Sequence, residues 1–112
     1  MNPWTKLCAG AALATLLCAS HAQILIGQTA GYSGQVAASV KEAADGAMLY
    51  LDAVNAKGGV NGQKIELVSL DDKFDPKIAG ENARMLIEER NVLAMFLTRG
   101  TPHTEAMIPL LE

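Results

Sequence analysis

The chain has 112 residues, nine basic against twelve acidic, and half of them are apolar. That size allows one small domain or a piece of a larger one, and a 90-residue body buries only roughly 60–65% of its unfolded surface. The acidic balance speaks against a nucleic-acid partner, which needs a surplus of Lys and Arg, and no apolar run of about 20 residues follows the N-terminus to span a membrane.

The N-terminus differs in kind from the rest. Lys6 gives a short positive region, Leu7 to Leu17 is an apolar run, and Ser20-His21-Ala22 places small residues at both positions a signal peptidase reads. The pattern predicts an export signal over residues 1–22, cleaved after Ala22, and a periplasmic product. Leu17 is too bulky before Cys18 for a lipoprotein signal. Both cysteines, Cys8 and Cys18, fall inside the signal, so the mature chain offers no thiol for a disulfide, a zinc site or a nucleophile.

Residues 23–28 form a continuous apolar run, suited to a strand buried on both faces of a parallel sheet. Small polar residues over 29–39 predict a loop. From Val40 the period becomes helical, with Ala44, Ala47, Met48, Leu51 and Val54 on one face and Lys41, Glu42, Asp45 and Asp52 largely on the other. Gly58-Gly59 stops this helix and Asn61-Gly62 marks a tight turn. Lys64 to Leu70 is the second strand. Asp75-Pro76 opens a second helix, as cap and first-turn proline, whose buried face carries Ile78 or Ala79, then Ala83, Leu86 and Ile87. Val92 to Leu97 is a third apolar run, and Thr101-Pro102 starts a third helix by the same cap-then-proline rule, with Met107, Ile108 and Leu111 on its apolar side.

The order βαβαβα predicts an α/β fold: a parallel sheet, covered on both faces and joined by right-handed crossovers. Three strands leave an apolar edge bare, and the last helix has no stop signal before Glu112, so the chain reads as truncated. Ligands of such sheets sit beyond the carboxyl ends of the strands, where strand order reverses. With order 2-1-3, the crevice lies between the loops Thr29 to Gly34 and Thr98 to His103. Tyr32 and Ser33 in the first are placed to stack on and hydrogen-bond a small ligand. In the second, Gly100 permits close backbone approach, Thr101 caps the helix or lends its hydroxyl, and the helix start attracts a carboxylate. Arg99 suits an anionic group, while His103, in a first helical turn, is expected to be exposed. Phosphate-loop, dinucleotide-loop and nucleophile-elbow spacings are all missing. Asp71, Asp72 and Asp75 lack calcium-loop spacing, so neither metal nor cofactor is expected.

The stretch Asp52 to Leu67, with its core Asn55-Ala56-Lys57-Gly58-Gly59-Val60-Asn61-Gly62, resembles a hallmark of the leucine/isoleucine/valine-binding protein family. These are the solute-binding subunits of branched-chain amino-acid-type ABC transporters. Asp71-Asp72…Asp75-Pro76 and Gly100-Thr101-Pro102 fit the same pattern, and the resemblance covers residues 24–112. It implies that residues 23–112 are the first part of a two-lobed type I periplasmic binding protein, a clamp that is not an enzyme. It further implies a small amino-acid-like or carboxylate ligand and an ABC membrane permease as partners. Tyr32, Ser33, Gly100 and Thr101 match ligand-facing positions. Leu97-Thr98-Arg99 departs from the small or apolar residues of many relatives, so Arg99 points to an added acidic group on the ligand. A receptor ectodomain or a flavodoxin-like enzyme are the alternatives that the sequence alone leaves open.

Overall fold

The computed structural model describes residues 22–112; the expected export signal lies outside the described residues except for Ala22. Strand β1 spans Ile24–Ala30, helix α1 Ala37–Ala56 and strand β2 Ile65–Asp71. Helix α2 runs over Pro76–Arg84 and continues as a π-helical turn, Met85–Glu89. Strand β3 is Ala94–Met95, and helix α3, Thr101–Met107, ends in a 3-10 turn at Ile108–Leu110.

The sheet is parallel with order β2-β1-β3, the arrangement that places a reversal of strand order between β1 and β3. All seven residues of β1 pair with β2, Ile24 with Ile65 through Ala30 with Asp71. Pairing with β3 covers only Ile26–Ala94 and Gly27–Met95, extended by bonds from Leu93 N to Leu25 O and Phe96 N to Gly27 O. Burial deepens along β1 until Gly27 to Ala30 are fully enclosed, as befits a central strand covered on both sides.

The pleat divides β1 between two helical layers. Gln28 shares a cavity with Ser39, Val40 and Ala43 of α1. A Cβ at Gly27 would meet the side chains of Leu86, Val92 and Met95, and Thr29 Oγ1 accepts from Asn82 of α2. Helices α2 and α3 pack together on that second face. The buried apolar set is small: Val40, Ala44 and Leu51 from α1, Ala79, Ala83 and Leu86 from α2 and its turn, Met107 from α3, and Ala30.

Capping and turn rules act where the sequence places them. Asp75 Oδ1 accepts from Lys77 N at 2.8 Å and Ile78 N at 3.4 Å, with Pro76 in the first turn. Positive φ at Asn61 and Gly62 closes a hairpin-like turn bridged by Val60 and Gln63. Three boundaries differ from expectation. Helix α1 begins at Ala37, not Val40, because the small residues 37–39 tolerate a first turn. Helix α3 is capped by Gly100 with no side-chain hydrogen bond, so Thr101 lies within it and does not cap it. The third apolar run is mostly not ladder: Leu97 takes φ 58° and turns the chain out of the sheet.

Candidate functional site

Three loops meet at the carboxyl edge of the sheet. The loop after β1 starts with Tyr32 N and Asp72 N both donating to Ala30 O, which ties it to the loop after β2. Ser33 N then donates to Asp71 Oδ1 at 3.2 Å, and Lys73 N to the same oxygen at 2.9 Å. The Asp71 carboxyl is held below its ordinary 3.8, first by the Ser33 side chain and then by these backbone N–H groups, against a smaller opposing effect of burial. Asp72 is wholly buried: Oδ1 accepts from Phe74 N at 2.8 Å and Oδ2 from the Thr29 hydroxyl at 3.1 Å. The two acidic residues are therefore spent on turns. Among the described residues no cluster of His, Cys, Asp or Glu could hold a metal ion.

Gln28 is the pillar of the crevice. It is 1% exposed, its Oε1 accepts from Tyr32 Oη at 2.6 Å and Ser69 Oγ at 2.8 Å, and its Nε2 donates to Leu97 O at 3.1 Å. One amide thus locks the three strands' ends together. It also fixes the carbonyl of Leu97, whose left-handed backbone is unusual for a bulky side chain. Leu97 at φ 58° and Gly100 at φ 104° bend the chain on either side of Thr98-Arg99, presenting this pair to α1.

A cavity of about 320 Å³ opens there, lined by Gln28, Ser39, Val40 and Ala43 on one side and Leu97 to Gly100 on the other. Arg99 is exposed, and its guanidinium donates to Ser39 Oγ at 2.6 Å across the opening. The Ser39 hydroxyl in turn donates to Val36 O at 2.9 Å. Thr98 Oγ1 is buried without a hydrogen-bond partner among the described residues. Below the loop, His103 is 3% exposed and stacks on Phe74 with ring centroids 4.7 Å apart. The expected exposed His103 is therefore corrected: its first-turn position faces inward because Gly100, lacking a Cβ, leaves room for the ring.

Of the residues singled out from sequence, Tyr32, Arg99 and Gly100 come together around Gln28, Ser39 and the Leu97–Gly100 loop. Ser33 and Thr101 are exposed at the rim, Ser33 turned toward the β2 loop. Sequence reasoning missed Gln28 and Ser39, and placed Thr98 in the crevice loop without giving it a role. Gln28 had a signal, a lone polar side chain closing an apolar strand at the edge where ligands bind; Ser39 had none.

A parallel open sheet with a lined cavity at its switch point defines an α/β ligand-binding lobe. The periplasmic binding protein family model matches residues 23–112, and the chain belongs to that family, in its leucine/isoleucine/valine-binding branch. It is 40% identical over 92 residues to Leu/Ile/Val-binding protein homolog 7 of Brucella suis, covering 82% of this chain and 21% of that protein. An extracellular ligand-binding receptor from Verminephrobacter eiseniae superposes with a TM-score of 0.75 at 31% identity, over 81% of this chain and 26% of that one. A branched-chain amino acid transporter substrate-binding protein from Streptococcus pneumoniae, in complex with isoleucine, superposes with a TM-score of 0.67 at 29% identity, over 79% and 25%. The chain spans about a fifth of the length of that Brucella relative and about a quarter of those structures.

Proposed function

We propose that this chain is the ligand-contacting part of the first lobe of an exported solute-binding protein, serving an ABC importer. The observation that carries the reading is the cavity at the β1–β3 switch point, faced by Arg99, Thr98, Ser39 and the Gly100 backbone. Tyr32, Ser33, Arg99, Gly100 and Thr101 form the ligand-facing set, with a small amino-acid-like or carboxylate solute as ligand. The role is binding and delivery to a membrane permease, and it needs no cofactor. Residues 1–22 are the export signal and 23–112 the mature segment. N-terminal sequencing of exported material then begins at Gln23; a lipid-modified start at Cys18 overturns the soluble periplasmic assignment.

The binding role is tested in a two-lobed chimera, with residues 23–112 replacing the matching segment of the Brucella suis relative. Calorimetry against amino acids and small carboxylates is expected to give saturable binding. Arg99→Ala weakens it by about 1.5–3 kcal/mol, the loss of a charge-assisted bond to a desolvated carboxylate. A correctly folded chimera that binds none of these probes overturns the reading.

A further inference from the structure

We infer that the solute selected by this lobe is a net-anionic carboxylate, gripped by Arg99, and that the cavity's lining offers an ammonium group no carboxylate. This rests on the solute-binding reading above and goes beyond it by fixing the ligand's charge.

The donors are free. Arg99 carries five N–H groups, of which Ser39 Oγ takes one at 2.6 Å. Among the described residues its charge has no acidic partner, the ion pairs being Lys41–Asp45 and Arg84–Glu88. Thr98 also belongs to the lining, although its Oγ1 is itself buried and has no partner among the described residues. The first turn of α1, which carries Ser39, has no capping side chain, so a 20-residue helix adds a positive end to this wall.

Charged acceptors are absent. The Gln28 amide oxygen already receives Tyr32 and Ser69. Asp71 Oδ1 takes the N–H groups of Ser33 and Lys73, and the buried Asp72 takes Phe74 N and the Thr29 hydroxyl. Among the described residues no acidic side chain lines the cavity. An ammonium brought here loses part of its water and finds no carboxylate, and it meets the guanidinium as a like charge. Val40, Ala43 and Leu97 leave the remaining wall apolar, which suits an aliphatic body of a few carbons.

Three probes with one carbon skeleton separate the charges: 4-methylpentanoate with the carboxylate alone, leucine with both groups, and 3-methylbutylamine with the ammonium alone. Each is titrated by calorimetry into the chimera and into its unmodified Brucella suis parent. Relative to the parent, the chimera is expected to shift its preference from leucine toward 4-methylpentanoate at least tenfold. The amine gives no heat, Arg99→Gln removes the shift, and Arg99→Lys retains part of it. An unchanged preference, or a shift that survives Arg99→Gln, overturns the inference while leaving the binding role intact. Loss of all binding by a folded chimera overturns the binding role itself. Should the whole-segment chimera misfold, grafting only Leu97 to Thr101 into the parent carries the same expectation and the same refutation.

Discussion

Gly100 holds two constraints at once, a left-handed backbone and the space that admits the His103 ring. At φ 104° any side chain is strained, and a Cβ would run into the imidazole. Gly34 shares the backbone geometry, φ 82°, but has open space around it. Gly34→Ala is therefore expected to cost about 1 kcal/mol, the left-handed penalty alone. Gly100→Ala adds the displacement of a buried, stacked ring, for about 2–4 kcal/mol in all. Denaturant midpoints in the two-lobed chimera compare them; equal costs mean that the ring moves aside freely. Gln28→Leu probes the other side of the loop. It leaves Tyr32 Oη, Ser69 Oγ and Leu97 O without their shared partner, and a loss of about 2–3 kcal/mol follows from orphaned polar groups. A Gln28→Leu variant as stable as its parent would show that the amide is dispensable. Arg99, Tyr32 and Gly100 were legible because a charge, an aromatic and a glycine stand out in a small-residue loop. Ser39 and the inward turn of His103 were not, since the first has its partner 60 residues away and the second depends on a neighbour's missing Cβ.

At the scale of elements, the segment most characteristic of the family turns out to be a splice between α1 and β2. Asn55 Nδ2 donates to Ile65 O at 2.7 Å and its Oδ1 accepts from Ile65 N at 2.8 Å, anchoring the end of the helix to the start of the strand. Gly58 and Gly59, at φ 100° and 75°, end α1 with Gly59 N bonded to Val54 O. All of this lies at the amino end of β2, opposite the crevice. Asn55→Ala is expected to cost about 2 kcal/mol through two lost bonds while leaving ligand affinity unchanged. A change in affinity would show that the splice positions the site as well. Elements of this kind were readable in advance because glycine, Asn-Gly and Asp-Pro act locally. Strand β3 was read as too long because an apolar run does not reveal where the chain turns out of the ladder. At the carboxyl edge, Asp71 makes the β1–β2 loop contact pH-sensitive. Its carboxyl is held below 3.8 in the folded state, so the contribution is complete above that value and disappears as pH falls through the lower folded value. Asp71 is exposed, which keeps the effect small. The amide shifts of Ser33 and Lys73 are expected to titrate with a midpoint below 3.8, and a midpoint above it would break the assignment.

For the molecule as a whole, the 112-residue chain is expected to bind its solute weakly and to melt without a sharp transition. Among the described residues the crevice is lined by α1 and the Leu97–Gly100 loop and is open beyond them. Arg99, Thr101 and Ser33 face open solvent, so a ligand here keeps one side in water and its polar contacts compete with hydration. This chain covers about a fifth to a quarter of the relatives described above. The scaffold behind the crevice is equally thin. Strand β3 is paired over two residues on one side, and Leu49 and Leu93 are 76% and 77% exposed, with Tyr50 at 72%. Among the described residues, a core of eight buried apolar side chains, four of them alanine, supplies little transfer energy against the entropy of ordering about 90 residues. The sheet edge and the exposed α1 side chains also favour association over folding as concentration rises. Calorimetric scans of the isolated chain should therefore show a broad or absent transition that no millimolar carboxylate or amino acid moves. In the chimera a cooperative transition rises with added ligand, as linkage requires of any ligand that binds only the folded state. A sharp melt of the isolated chain that climbs by several degrees with a small carboxylate would show the opposite: that the loops around Gln28 and Arg99 suffice by themselves.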